Sequence, residues 1–199
     1  GIKISIPPTI LISVIGTIPE VKKALTMDFK SAGHLVYLLG ATRHELGGSE
    51  YFASCGIIGS SVPKVDAETA RVRYRNLHKA ICGSLVASAH DLSDGGLAVA
   101  LAESAFSGSL GVEIDLKEVA CEPGMNDTEV LYSESQSRIL VSVSPERAQE
   151  FDSIFAGDAR RIGRVIPEQR LIIRSLDNGR LIDRDLASLK RSWKAPLDF

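Results

Sequence analysis

The chain has 199 residues, 44% of them hydrophobic and 24% charged, and a formal net charge of -2. That balance suits one globular domain with a sizeable core, and it leaves no electrostatic footprint for nucleic acid or an anionic membrane. The three cysteines, Cys55, Cys82 and Cys121, are scattered without Cys-x-x-Cys spacing. This argues for reduced thiols in a cytoplasmic protein and against a zinc centre.

In chain order, the first apolar stretch is broken by Pro7, Pro8 and Gly16. It is too short to span a membrane and lacks the basic start of an export signal. Its β-branched part, Pro8 to Thr17, makes residues 1–17 a lead-in strand. The start at Gly1, without Met, suggests a piece of a longer polypeptide. Residues 18–23 form a short helical turn with Pro19 at its first position. Residues 34–40 are a buried strand closed by Gly40, followed by a Gly47-Gly48 turn into a short helix. Residues 56–65 are loop-like. Asp66 caps a long helix with an apolar face of Ala67, Ala70, Tyr74, Leu77 and Ile81. Arg71, Arg73 and Arg75 recur at every second position, so they read as solvated surface.

A short strand over 85–89 leads to His90, and a helix starts near Gly96 with Leu97, Ala100, Leu101 and Ala105 on its packed side. Residues 111–116 alternate as a half-buried strand, and 120–128 are loop. Residues 138–143 form a strand, and Ser144-Pro145 opens a helix. Strands over 161–165 and 171–176 precede Asp177-Asn178-Gly179, a hairpin signal returning through 180–182. Residues 183–199 are a terminal helix and tail. The intermixed elements imply an α/β (α+β) fold, a mixed β-sheet with helices packed on it.

Three polar clusters sit at expected strand ends. In the first, a turn through Ser93, Asp94, Gly95 and Gly96 would place free amides at a helix N-terminus, where an anion is favoured. Asp91 and Asp94 would repel a bare phosphate unless a divalent cation lay between them. The plainer reading is a helix cap, with His90 a hydrogen-bonded structural histidine and no triad. Gly47, Gly48 and Ser49 make a second turn in which Ser49 suits an ordinary N-cap. Ser133 to Arg138, including Glu134, Ser135 and Gln136, is a third polar run before a buried strand. The three could converge on one polar face.

His90-Asp-Leu-Ser-Asp-Gly-Gly-Leu97 with the following Ala-Leu-Ala-Glu103 resembles the glycine signature of a C-terminal domain found in several enzymes. These are aminoimidazole ribonucleotide synthetase, selenophosphate synthetase, thiamine-monophosphate kinase and phosphoribosylformylglycinamidine synthase. Leu46-Gly-Gly-Ser-Glu-Tyr51, Pro8-Thr9 with Met27-Asp-Phe-Lys30, and Ser133-Glu-Ser-Gln-Ser-Arg138 are similar to motifs of the last family, in its order. The resemblance implies an aminoimidazole-ribonucleotide-synthetase-C-terminal-domain-like fold. It also implies a single subdomain over 1–199, the second C-terminal-type unit of an internally duplicated synthetase chain of the small form.

The implied reaction of that whole synthetase is ATP-dependent amidation of formylglycinamide ribonucleotide to the amidine, assisted by Mg2+. Its implied partners are the preceding subdomains and separate glutaminase and small bridging subunits. The family's catalytic histidine and its Asn-x-Ser magnesium segment fall upstream of Gly1, so no catalytic residue is assigned and the piece is expected to be inactive alone. Candidate nucleotide or phosphate contacts are Ser93, Asp94, Gly95, Gly96, Gly47, Gly48, Ser49, Glu134, Ser135 and Gln136. Asp91 and Asp94 are the weak metal candidates. A stand-alone phosphate-binding or scaffold module, or a neighbouring activity such as the kinase, remains the alternative.

Overall fold

A computed structural model describes residues 10–197. Seven strands form one sheet in the order β2-β4-β1-β5-β3-β6-β7. They are β1 (Leu35–Leu39), β2 (Ser88–Asp91), β3 (Gly111–Asp115), β4 (Ile139–Val143), β5 (Ala159–Ile166), β6 (Arg170–Arg174) and β7 (Arg180–Asp185). All neighbours pair antiparallel except β3 and β6, which run parallel. The mixed sheet expected from the sequence is therefore present.

The helices are α1 (Glu50–Ser54), α2 (Ala67–Cys82), α3 (Gly96–Gly108), α4 (Asp127–Tyr132), α5 (Ala148–Phe155) and α6 (Leu186–Lys194). Alternation along β1 splits the core. Val36 and Leu38 join Leu97, Leu101 and Phe106 of α3, Val130 and Leu131 of α4, and Leu186 of α6 on one face. Leu35, Tyr37 and Leu39 join Ala80 of α2 and Phe151 and Phe155 of α5 on the other. Burial on both faces explains why β1 is a continuous apolar run. α3 packs on the sheet, and its alanines allow close approach. It buries Ala98, Ala100 and Ala105 alongside its larger apolar residues.

Several expectations change. Residues 1–9 of the expected lead-in strand lie outside the described residues. Residues 10–17 form no strand, and Ile10, Leu11, Ile12, Val14 and Ile15 are 79–97% exposed. No described strand pairs with that segment, and an extended run without a ladder partner is not a strand. The strand expected over 85–89 sits instead at Ser88–Asp91, which puts His90 and Asp91 in the sheet. Residues 183–185 belong to β7, and the terminal helix begins at Leu186 with Asp185 accepting from Ser188 N.

α4 begins at the end of the 120–128 stretch that read as loop and runs on through residues given no element there. Its start carries a reciprocal capping box between Asn126 and Glu129. On α2, Tyr74 is 48% exposed while Arg73 is 7% exposed, so the inward face is displaced and Arg73 is not solvated surface. Its guanidinium donates two hydrogen bonds to the Asp158 carboxylate, both at 2.7 Å, and one to Ser137 O. Gly40 faces this guanidinium. A Cβ there would come within 2.8 Å of Arg73 Cζ at a φ of +83°, so a larger residue would strain the turn and push the guanidinium away from Asp158.

Candidate functional site

The antiparallel register explains how the polar clusters meet. Leu39 pairs with Ile139 and with Ala159, and Asp91 also pairs with Ile139. The turns after β1 and β2 and the segment before β4 therefore leave the sheet at one end. The three clusters, whose convergence the sequence left open, meet at this end of the sheet.

Arg138 organises this end. It is 1% exposed and donates through Nε to Ser135 O, through Nη1 to Thr42 Oγ1 and through Nη2 to Ser133 O. All three acceptors are neutral, which leaves the charge to be balanced through space. Burial pushes the guanidinium down to about 10, and the carboxylates of Glu45 and Glu134 oppose that fall, so it stays charged at neutral pH. Pinned on both sides by Arg138, the Ser133–Ser135 backbone projects Glu134 between two turns. Glu134 Oε1 accepts from Gly95 N at 2.8 Å and from Glu50 N at 2.9 Å. The anion at the α3 N-terminus is thus the chain's own carboxylate, a favourable place for it.

Gly95 and Gly96 have φ of +78° and +63°. A Cβ on Gly96 would lie 2.6 Å from Ser133 O and 2.8 Å from Leu131 O, so glycine lets the turn press against the Ser133 segment. Gly96 N donates within the turn to Ser93 O. The two glycine amides are therefore engaged, while Ser93, Asp94 and Asp91 are exposed beside them.

The other candidates divide clearly. Ser49 is 1% exposed, caps α1 by accepting from Phe52 N and donates to Leu46 O, as the plainer reading held. Gly47 N and Gly48 N donate to Ser61 O and Ile58 O, closing the 47–61 loop. Ser135 is buried and accepts from Arg43 N, while Gln136 is exposed. Ser135 and Gln136 border a cleft of about 220 Å3 that Arg43, Glu45, Lys64 and Asp66 also line.

Among the described residues, no group of three or more His, Cys, Asp or Glu side chains is placed to hold a metal ion. Asp91 has a side chain 79% exposed. Mg2+ is commonly held by one or two carboxylates, with water and phosphate oxygens filling the remaining positions. Asp91 and Asp94 both stand exposed at the rim of the turn, and neither belongs to such a group of three or more.

Glu45, Thr42 and Trp193, which donates to Glu103, escaped the sequence reading, and Arg138 and Glu103 entered it only as members of motifs, without a role. The signal for Arg138 was a basic residue directly opening a buried strand, where only a fully bonded guanidinium is tolerated. The others are met only in three dimensions.

A seven-stranded mixed sheet with helices on both faces and glycine turns gathered at one end defines the class. The family model of the AIR synthase related protein, C-terminal domain, matches residues 31–175, and the chain belongs to that family. Phosphoribosylformylglycinamidine synthase subunit PurL of Thermococcus sibiricus is 38% identical over 190 residues, covering 96% of this chain and 26% of that protein. The corresponding Lactobacillus helveticus subunit is 38% identical over 191 residues, covering 96% of this chain and 24% of that protein. The chain thus spans about a quarter of the length of these relatives.

Among solved structures, T. maritima PurL complexed with FGAR superposes with a TM-score of 0.75 at 24% identity, over 85% of this chain and 30% of that one. T. maritima PurL complexed with ATP gives 0.68 at 25% identity, over 85% and 27%. The structure of PurLQS from Thermotoga maritima gives 0.72 at 24% identity, over 85% and 28%. No helix among the described residues is long and apolar enough to cross a membrane.

Proposed function

We propose that this chain is the second C-terminal-type subdomain of a small-form phosphoribosylformylglycinamidine synthase, contributing one wall of a nucleotide site and inactive by itself. The observation that carries this reading is 38% identity to PurL over 96% of the chain. The whole protein's reaction would be ATP-dependent amidation of formylglycinamide ribonucleotide in the cytoplasm. Its partners would be the preceding subdomains of the same chain and, as the PurLQS assembly suggests, separate glutaminase and bridging subunits.

Within that enzyme the rim of the turn, not its floor, would meet the nucleotide. Glu134 holds the Gly95 amide, so it fixes the turn's shape and leaves Ser93 and Asp91 facing outward. The Ser93 hydroxyl would donate to a phosphate oxygen, and Asp91 would supply one carboxylate to Mg2+. Bound there, the ion would neutralise charge on the phosphates. Gly47, Gly48 and Ser49 serve as scaffold for α1 in this reading, and Ser135 and Gln136 edge the neighbouring cleft.

Ammonia, formylglycinamide ribonucleotide, ATP and Mg2+ supplied to the purified 199-residue chain should yield no amidine. In the longer protein, Ser93→Ala and Asp91→Asn should each weaken ATP binding about tenfold, the scale of one lost charge-assisted hydrogen bond. Amidine made by the isolated chain would overturn the subdomain reading. Unchanged ATP affinity in both variants would overturn the site. Gly95→Val is a poor test, because its Cβ would lie 2.3 Å from Val99 Cγ2 at a φ of +78°.

A further inference from the structure

The two faces of the sheet are not covered to the same extent. One packs against α3, α4 and α6 from Leu140 and Val36 across to Val112, Ile162 and Ile173. On the other, the apolar cluster under α2 and α5 draws on β2, β4 and β1 and reaches only Ala159 of β5. Beyond it, the outward positions of β5, β3, β6 and β7 hold charged side chains. Register sets Arg161 beside Tyr37, Arg164 beside Glu113, Asp115 beside Arg174, and Ile172 beside both Glu113 and Asp183.

Two of these carboxylates are each shared by two arginines. Glu113 accepts from Arg164 at 3.0 Å and from Arg174 at 2.7 Å. Asp183 accepts from Arg170 at 2.5 Å and from Arg180 at 2.8 Å. Each trio keeps one positive charge in excess, and its arginine side chains remain 45–69% exposed. Glu113, Asp115, Glu118, Arg161, Arg164 and Arg174 line a trough of about 510 Å3 in this face. Residues 159–185 hold seven arginines, four acidic residues and no lysine, in a chain of net charge -2. Exposed ion pairs add little to stability, and lysine would serve a merely solvated face as well. Arginine presents a planar fork that pairs with carboxylates, and it is enriched where proteins meet.

The size of the face restricts its occupant. Four strands of 5–8 residues at a spacing of about 4.8 Å give roughly 300 Å2. A standard stable interface takes about 800 Å2 from each partner, so this face does not by itself hold a second copy of the chain. It suits a partner that is anchored elsewhere as well, and a subunit that joins two others has such an anchor.

We infer that this arginine face docks an acidic surface of the separate bridging subunit. The inference rests on the assembly proposed above. The longer protein is prepared with its glutaminase and bridging subunits, and binding of each is measured by interferometry at low and moderate salt. Arg164→Glu with Arg174→Glu reverses the face. Arg71→Glu with Arg75→Glu makes the same change of charge on α2, where both residues are exposed. The face variant should bind the bridging subunit about tenfold more weakly, and the native contact should weaken as salt rises. The α2 variant should bind it as the native protein does. Amidine formation from free ammonia should be unchanged in both, and only the face variant should lose glutamine-dependent turnover. If the reversal melts early, Arg164→Gln with Arg174→Gln decides in its place, because it sets no like charge beside Glu113.

Unchanged affinity for the bridging subunit in the face variant, or an equal loss in the α2 variant, would overturn the docking face. So would weaker binding of the glutaminase with the bridging subunit unaffected. No amidine from ammonia in the native longer protein, or no separate subunit bound by it, would overturn the proposed function and the docking face with it.

Discussion

At the scale of single residues, Arg138 does more than any side chain that faces solvent. It joins Thr42, after β1, to Ser133 and Ser135, before β4, and so sets where Glu134 can reach. A buried guanidinium bonded only to neutral oxygens is costly to desolvate, and removing it leaves three acceptors without their donor. Arg138→Met should therefore cost about 3–5 kcal/mol in urea unfolding, although methionine fills much of the volume. It should also speed exchange of the Gly95 amide, whose partner Glu134 is held by this backbone. A loss below about 1 kcal/mol, with Gly95 protection intact, would mean that the turn holds itself. Glu134 shows the complementary lesson. The local helix cap that was the plainer reading of this turn is not made in α3, and the carboxylate that takes up its donor comes from a residue 39 positions away.

At the scale of elements, α3 links the core to the candidate site. One side of it fills the core with Leu97, Leu101 and Phe106, its first turn lies on the Ser133 segment, and Glu103 reaches back to His90 on β2. The contact at Gly96 is where α3 meets the Ser133 segment most directly. Gly96→Ala would place a Cβ against two carbonyl oxygens at a positive φ, and neither backbone carbonyl can yield as a side chain could. Overpacking and left-handed strain together predict a loss of about 2–4 kcal/mol, read by calorimetry. Because Ser133 O also accepts from Arg138, the effects of Gly96→Ala and Arg138→Met should not add. A double mutant equal to the sum of the two would show that the turn and the buried guanidinium are independent.

At the scale of the whole molecule, the two core faces are closed but residues 10–18 are not part of either. Ile12 and Ile15 are 79% and 97% exposed, and Ile57, Ile58 and Val65 add further exposed apolar surface. Apolar groups that touch no core contribute nothing to folding of this chain, yet they promote association. Ile12→Ser combined with Ile15→Ser should leave the thermal midpoint within about 1–2 °C, since surface changes are small in free energy. The same pair should reduce self-association in sedimentation. A fall of more than about 5 °C would mean that the segment packs on the domain in solution.

Much of the architecture was legible because it depends on local rules. The buried run at 34–40, the alternation at 111–116 and the Asp177-Asn178-Gly179 hairpin each specify an element through period or turn chemistry, and each is found within a residue or two. The glycine turns and the Ser133–Arg138 run marked the right end of the sheet for the same reason. The remainder was decided by contacts between residues distant in sequence. An apolar β-branched stretch becomes a strand only where a ladder partner exists, so residues 10–17 do not form one. An arginine on a helix counts as surface until a carboxylate 85 positions away buries it, as Asp158 does for Arg73. A free amide at a glycine turn is an anion site only if no carboxylate of the chain arrives first. Composition and spacing determine which groups each segment offers. Tertiary structure decides which are already taken, because hydrogen bonds and ion pairs are satisfied in space and not in sequence order.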